Sequence, residues 1–219
     1  MNMRRLAILV AATLGVGSAA GFAATLNVGS WHMWAGSQTL TKATCTLTGS
    51  AATSDTYVDE SKSTTVNDTV RTMNVQPNTG AHQWTLIHFD LSSCSIPTSG
   101  GADTATLKLV VKTAPSASRT LTVAPVLTTW TGSTTDWTLA QTLTYGAATT
   151  TFATGTANGA TLSIPVTIDV DALIKSATAN YGWRISDSGA QVAGDTTVFN
   201  STDATSASAR PQLVVNYEK

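Results

Sequence analysis

The stretch ATLKLVV, residues 105–111, places an apolar side chain at every second position. A period of two indicates a β-strand, whose successive side chains point to opposite faces of a sheet. Similar alternation occurs in TLIHF (85–89), RTLTVAPVL (119–127), ATLSIPVTIDV (160–170), YGWRI (181–185) and PQLVVNY (211–217). The segments between them are rich in Gly, Pro, Ser, Asp and Asn, which is typical of turns. These patterns predict an all-β protein built as a sandwich or a barrel.

The composition supports this fold class and limits the partners. Only 11% of the 219 residues are charged, and 41 are Thr, a β-branched residue that suits a half-exposed sheet surface. Without Arg4 and Arg5, ten basic residues remain against thirteen acidic ones. Because phosphate binding needs a basic patch, this balance argues against nucleic acid as a partner.

One short helix is predicted at DALIKSATAN, residues 171–180, with Asp171 placed as its cap. Pro125 and Pro165 fall inside predicted strands. Since proline lacks a backbone donor, we expect both at strand edges or bulges.

The N-terminal sequence MNMRRLAILVAATLGVGSAAGFAA has the layout of a secretory signal, with Arg4 and Arg5 before an apolar run and small residues near Ala23. We predict a signal peptide over residues 1–23, and hence a secreted protein that is extracellular or at the cell surface. A membrane anchor is the alternative, but Gly and Ser residues interrupt the run. No second run is long enough to span a bilayer.

The two cysteines, Cys45 and Cys94, permit a single intramolecular pairing in an oxidising compartment. We predict a disulfide between them, which would contribute about 4 kcal/mol by closing a loop of roughly fifty residues. Two buried, unpaired thiols are the alternative.

Residues 24–52 are predicted to form an N-terminal β extension of two strands around WAGS. Within it lie Trp31, His32, Met33 and Trp34. This segment could cover a sheet edge, mediate self-association or bind a ligand, and covering an edge is the interpretation that we favour.

Residues 53–219 resemble a known family, on an ordered set of segments. These segments are SDTYVDESKS, LIHFDLSSCSIP, TATLKLVV, LTTWTGSTTDW, IDVDALI, YGWRISDSG and RPQLVVNYE. In this order and spacing they are similar to the DNRLRE domain, a secreted bacterial and archaeal β-sandwich that is also classed as carbohydrate-binding module family 96. The resemblance implies a jelly-roll-like antiparallel β-sandwich without catalytic activity. It also implies a polysaccharide partner, since some members bind polysaccharides such as alginate.

The chain departs from the family pattern at three places. Where the family commonly has Arg before the Phe of its FDLS strand, this chain has His88, and another frequent Arg falls near Trp84. The common Ser-Arg-Glu run near the C-terminus is replaced by residues 201–203, Ser-Thr-Asp. The loss of these arginines weakens the expectation of an acidic polysaccharide.

Strand parity predicts a ligand-binding face. If Ile87 and Phe89 face the core, then Trp84 and His88 face outward, and the same argument turns Lys108 and Arg184 outward. If these strands share a sheet, the four side chains form a site with an aromatic ring beside hydrogen-bond donors, as sugar binding requires. An ordinary solvated sheet face is the alternative.

Trp130 and Trp137, in TTWTGSTTDWTL (128–139), are candidates for the same role. Indoles bury a large apolar area, so we favour packing over a sugar platform for both, while keeping both as candidate ligand-binding residues.

Motifs of catalysis are absent from the sequence, which contains no Gly-x-Ser-x-Gly, His-Glu-x-x-His or Cys-x-x-Cys. We therefore predict no enzyme activity and no cofactor beyond a possible structural calcium ion. Asp55 and Asp59 are weak candidates for binding that ion, although Asp is also common at strand ends and helix caps.

Two functions follow from these observations. The first is a secreted, non-catalytic carbohydrate-binding module that recognises an extracellular or cell-wall polysaccharide. The alternative is a structural or adhesive cell-surface protein whose sandwich is an assembly unit and whose N-terminal strands mediate self-association.

Overall fold

The structure is a computed structural model that describes residues 41–49, 53–175, 179–192 and 194–219. Within these ranges the chain forms eleven strands and two short α-helices. The strands are β1 (Lys42–Thr48), β2 (Thr53–Asp59), β3 (Thr72–Val75), β4 (Gln83–Phe89), β5 (Thr104–Thr113), β6 (Thr120–Pro125), β7 (Thr150–Ala153), β8 (Thr161–Pro165), β9 (Trp183–Ser186), β10 (Thr197–Asn200) and β11 (Gln212–Glu218). The helices are α1 (Trp137–Ala140), a single turn, and α2 (Thr167–Ile174).

The strands form two antiparallel sheets. The first sheet has the order β1-β11-β5-β10-β3, with β8 also paired to β5, and the second has the order β2-β4-β9-β6-β7. Most strands that are neighbours in a sheet are far apart in the sequence. The predicted fold class, an all-β antiparallel sandwich with little helix, is confirmed.

The main core lies on the inner faces of the sheets. Leu107 and Leu109 of β5 are fully buried in it, as are Ile87 of β4 and Ile185 of β9. The strand parity predicted for β4, β5 and β9 is therefore confirmed, because the alternate side chains of these strands point away from the core.

The predicted strand at residues 160–170 is correct only in its first half. β8 ends at Pro165, and α2 begins at Thr167. Val166, Val170 and Ile174 are buried in the core, whereas Ile168, which a strand would place on the same face, is 76% exposed. This pattern fits one face of a helix and does not fit a strand.

The predicted helix at 171–180 is thus displaced towards the N-terminus. Asp171 lies inside α2 rather than at its cap, where it pairs with the Lys175 ammonium at 2.7 Å. It also accepts a hydrogen bond from the Ala102 backbone N–H at 3.1 Å.

Each of the two prolines is the last residue of its strand. Pro165 ends β8, and Pro125 ends β6 beyond the part of that strand that pairs with β7. Their missing backbone donors therefore interrupt little of the sheet pairing, in line with the expectation from the sequence.

The Cys45–Cys94 disulfide is present, with a Cα–Cα distance of 5.8 Å. It joins β1, at the end of the first sheet, to the turn that follows β4 of the second sheet. β1 falls within the predicted N-terminal extension, yet it pairs with β11 along its whole length, so the sandwich begins before residue 53.

The outer faces of the two sheets differ in how they are covered. A small second core forms on the second sheet, where Leu86, Val126 and Leu143 are buried together. The segment 126–149 therefore covers part of this outer face. The strands of the first sheet instead leave most outward side chains half or fully exposed.

Two predictions fall on residues outside the described ones: the signal peptide, residues 1–23, and the segment Trp31–Trp34. Among the described residues, no helix is long and apolar enough to cross a membrane.

Candidate functional site

An aromatic cluster lies on the outer face of the second sheet. It consists of His82, Trp84, Trp137, Tyr145 and Arg184, all half-buried. The ring centroids of Trp84 and Trp137 are 4.5 Å apart, and those of Trp84 and Tyr145 are 6.2 Å apart with the rings edge to face. The His82 ring is stacked on Trp137 at 6.3 Å. These separations lie in the range of favourable aromatic pairs.

The helical turn α1 brings Trp137 to this position. The Asp136 carboxylate caps the turn by accepting a hydrogen bond from the Leu139 backbone N–H at 2.8 Å. The Thr138 backbone N–H donates to the Ser63 carbonyl at 3.1 Å, which ties α1 to the segment that follows β2. Tyr145 is held by a hydrogen bond from its hydroxyl to the Ala140 carbonyl at 2.7 Å.

Arg184 lies on β9, in register with Leu86 of β4. Its guanidinium carbon is 4.0 Å from the centroid of the Tyr145 ring and 4.9 Å from that of Trp84, so the cation stacks on both rings. Burial lowers the pKa of Arg184 and raises that of Tyr145 to about 12. The buried Nε of Arg184 has no hydrogen-bond partner in the described part of the chain.

Glu60 and His82 form a polar margin at the Trp137 end of the cluster. Glu60 Oε2 accepts a hydrogen bond from the His82 backbone N–H at 3.1 Å and lies 2.7 Å from His82 Nδ1. Hydrogen bonding from His82 lowers the pKa of the Glu60 carboxyl, so Glu60 is ionised at neutral pH. Both side chains remain 32% exposed.

The structure brings together three of the six predicted ligand-binding residues. Trp84, Trp137 and Arg184 share the cluster. His88 points to the same side of β4, but it is four residues from Trp84, about 13 Å along a strand, with Leu86 between them. Burial lowers the pKa of His88, which favours its neutral form.

The expectation that Lys108 shares this face is wrong. Lys108 does point outward, but β5 belongs to the first sheet, so its outer face is on the opposite side of the sandwich. Alternation predicts which side chains face outward, and does not predict which sheet a strand joins.

Trp130 lies beside the cluster and packs against the second core. Its Nε1 donates a hydrogen bond to the Tyr181 carbonyl at 2.7 Å, and its ring packs against the group formed by Leu86, Val126 and Leu143. These contacts support the packing interpretation for Trp130.

Sequence reasoning missed Glu60, His82 and Tyr145. His82 directly precedes β4, and Tyr145 forms an isolated bridge with Val126, so neither belongs to an alternating strand pattern that could have assigned it to a face. Tyr145 reaches the cluster because segment 126–149 folds back over β4.

The calcium candidates, Asp55 and Asp59, have structural partners. Asp59 accepts hydrogen bonds from the Ser61 backbone N–H and from Gln83 Nε2, each at 2.9 Å. Because it lies four residues from Asp55 on one strand, about 13 Å away, the two carboxylates do not meet at one ion. No group of three His, Cys, Asp or Glu side chains suited to a metal occurs within the described ranges. Structural calcium stays a prediction.

Asp55 lies in a polar cleft of about 310 Å³ that also contains Asp68 and Asp203. It accepts a hydrogen bond from the Thr202 backbone N–H at 2.7 Å, and it is 4% exposed. Burial raises the pKa of Asp55 to about 6, and the neighbouring charges of Asp203 and Asp68 act in the same direction.

Comparison with known protein families gives a match. The model of carbohydrate-binding module family 96 matches residues 46–217. This range includes β2 to β10 in full, the end of β1 and all but the last residue of β11. No curated protein matches the sequence. Since the match covers most of the chain and nearly the whole sandwich, the chain belongs to carbohydrate-binding module family 96.

Proposed function

We propose that the protein is a secreted, non-catalytic module that binds an extracellular or cell-wall polysaccharide at the aromatic cluster. The observation that carries this proposal is the packing of Trp84, Trp137 and Arg184 into one half-exposed surface on the second sheet. Family membership supports the same class of partner.

The chemistry of the cluster suits a sugar. The apolar C–H face of a pyranose stacks on the face of an aromatic ring. Trp84, Trp137 and Tyr145 are half-buried, so part of each side chain is exposed to a ligand. The sugar hydroxyls need partners at the margin. Glu60 can accept hydrogen bonds at one end, and the Arg184 guanidinium can donate them at the other.

The proposed export rests on two observations. The N-terminal sequence has the layout of a signal peptide, and the Cys45–Cys94 disulfide fits an oxidising compartment.

The proposal can be tested by incubating the mature protein with a panel of neutral and acidic polysaccharides, soluble and insoluble, and measuring pull-down and gel retardation. We expect saturable retention by at least one glycan. Trp84→Ala should weaken this retention by roughly tenfold or more. Lys108→Ala is the matched control, because it removes an outward side chain of the opposite sheet.

Thermal unfolding of each variant will show that loss of binding is not loss of fold. If no polysaccharide retains the wild-type protein, and the protein elutes as a large assembly, the structural or adhesive function replaces this proposal. If Trp84→Ala and Lys108→Ala bind alike, the aromatic cluster is not the site.

A further inference from the structure

The polar cleft around Asp55 presents oxygen atoms from four separate segments of the chain. Among the described residues, its lining consists of three Asp carboxylates, six hydroxyl side chains and Gly132, with no basic residue. The four segments are residues 53–55 at the start of β2, the loop positions 68–69 and 131–133, and positions 202–203 after β10. The cleft is therefore acidic, and every polar side-chain atom in its lining is an oxygen.

The close packing of Gly132 shows that these segments converge. A Cβ at Gly132 would lie 3.0 Å from Asp68 Cβ, 3.1 Å from the Asp55 carbonyl oxygen and 3.4 Å from Ser54 Oγ. The Thr202 backbone N–H, which donates to the Asp55 carboxylate at 2.7 Å, joins the fourth segment to them. Oxygen atoms that are far apart in the sequence thus meet in a small volume.

The negative charges of the cleft are not balanced by a basic side chain. The charges of Asp68 and Asp203 both raise the pKa of Asp55, as expected of carboxyls that lie near one another. None of the ion pairs among the described residues involves Asp55, Asp68 or Asp203. A bound cation would offset this repulsion.

Thr53 contributes a buried hydroxyl that has no partner. The residue is 6% exposed, and its Oγ1 makes no hydrogen bond within the described part of the chain. Thr53 lies two positions before Asp55 on β2, so both side chains point to the same side of the strand, and both line the cleft. Since a buried hydroxyl without a partner is unfavourable, this atom indicates that a ligand binds in the cleft.

The available ligand atoms match the preferences of calcium. Ca²⁺ takes about six to eight oxygen ligands in a flexible geometry, and water commonly supplies some of them. Two carboxylates are therefore enough when other oxygen atoms complete the shell. Mg²⁺ requires near-ideal octahedral geometry, which an irregular set of loop oxygens does not favour. Zn²⁺ prefers the nitrogen and sulfur ligands that this lining lacks.

We propose that the cleft binds one calcium ion through the carboxylates of Asp55 and Asp68, with Thr53 Oγ1 and Asp203 at its margin. The ion ties loop positions 68–69, 131–133 and 202–203 to the start of β2. This site keeps Asp55 from the sequence prediction and replaces Asp59 with residues from other segments. It is independent of the proposed sugar site.

Calcium binding can be tested by thermal unfolding of the purified protein at pH 7 in EDTA, in calcium chloride and in magnesium chloride. Calcium sites of extracellular modules have dissociation constants of about 0.1–1 mM, so about 10 mM calcium should nearly saturate the cleft. Calcium should then raise the melting temperature by roughly 3–10 °C above its value in EDTA. The same concentration of magnesium should raise it much less. Isothermal titration should give one calcium per chain.

Matched variants separate a bound ion from general screening of charge. In EDTA, Asp68→Asn and Asp55→Asn should each unfold at or above the wild-type temperature, because a repelling charge is removed. In calcium, both should lose most of the wild-type shift, and their dissociation constants should rise roughly tenfold or more. Asp103→Asn removes the same charge at an exposed position and should keep the full shift.

Three results would each overturn the proposal: no effect of calcium on the wild type, equal shifts in calcium and magnesium, or a full calcium shift in both Asp68→Asn and Asp55→Asn. Trp84→Ala should keep the calcium shift. Failure of the proposed sugar site would appear separately, as unchanged glycan binding by Trp84→Ala.

Discussion

The rings of Trp84 and Trp137 lie 4.5 Å apart at an angle of 46°, although 53 positions separate them in the chain. Trp84 comes from β4, and Trp137 from the helical turn α1. Their contact joins the segment 126–149 to the second sheet, so the same pair both stabilises the fold and forms the proposed sugar surface. Packing and binding are therefore not exclusive roles for Trp137.

Trp137→Ala should lower the free energy of unfolding by roughly 2 kcal/mol, about half the usual effect of removing a fully buried Trp, since the ring is half-buried. The variant should also lose glycan binding. Thermal or urea unfolding measures the first effect. Leu139→Ala, on the same turn, is the control and should unfold nearly as the wild type does. Unchanged stability with lost binding would show that Trp137 only contacts ligand.

The Asp55 carboxyl predicts a pH dependence of stability. Its pKa in the folded state is about 6, above its ordinary value of 3.8, because burial disfavours the charged form. The protonated group therefore contributes stability that is complete below pH 3.8 and is lost as the pH rises through 6. The loss should be roughly 3 kcal/mol.

Asp55→Asn isolates this effect, since Asn cannot ionise and its amide oxygen can still accept the Thr202 N–H. At pH 7 the variant should be more stable than the wild type, and at pH 4 the difference should largely disappear. Asp103→Asn, at an exposed position, is the control. Urea unfolding measures the difference in free energy of unfolding between Asp55→Asn and the wild type. If this difference is the same at pH 4 and at pH 7, the pKa of Asp55 is not raised.

Gly182 and Gly155 both have a positive φ, but only Gly182 is close to a neighbouring backbone. Substituting alanine at each position therefore distinguishes the cost of backbone strain from the cost of a steric clash. A Cβ at Gly182 (φ 74°) would collide with the Ile87 carbonyl, whereas one at Gly155 (φ 64°) meets nothing within 4 Å. Gly155→Ala should destabilise by about 1 kcal/mol, the penalty of the left-handed backbone. Gly182→Ala should destabilise by more than ~3 kcal/mol or prevent folding. Similar melting temperatures for the two variants would contradict the close approach of β9 to β4.

The disulfide should contribute about 4 kcal/mol, because it closes a loop with a sequence separation of 49. Cys45→Ala with Cys94→Ala should lower the urea midpoint accordingly and make it insensitive to reductant. Labelling of unfolded, unreduced wild-type protein should detect no free thiol. Two reactive thiols would refute the pairing.

Much of the fold follows from local pattern, as β4, β5 and β11 show. Their apolar side chains alternate, and each is a strand near its predicted bounds. The alternation gave a wrong prediction at Thr167–Ile174. Val166, Ile168 and Val170 continue the alternation of β8, but Ile168 is 76% exposed, while Val166, Val170 and Ile174 are buried on one face of α2.

The candidate site was harder to predict than the fold, because it depends on pairing between strands that are far apart in the sequence. Strand parity correctly predicted that Lys108 and Arg184 point outward. It did not predict that they lie on different sheets, because β5 pairs with β11 and β8, whereas β9 pairs with β4 and β6. These choices depend on how complete strands fit together, and no alternation within one strand encodes them. Tyr145 contacts the cluster because segment 126–149 folds over the second sheet, and strand alternation does not predict the course of such a segment.

The most direct test of the central claim is the dissociation constant of the retained polysaccharide, measured by isothermal titration for wild type, Trp84→Ala and Lys108→Ala. Loss of one stacking ring should weaken binding by roughly tenfold or more in Trp84→Ala. Lys108→Ala should match the wild type. Equal dissociation constants for all three proteins would contradict a glycan site at the aromatic cluster.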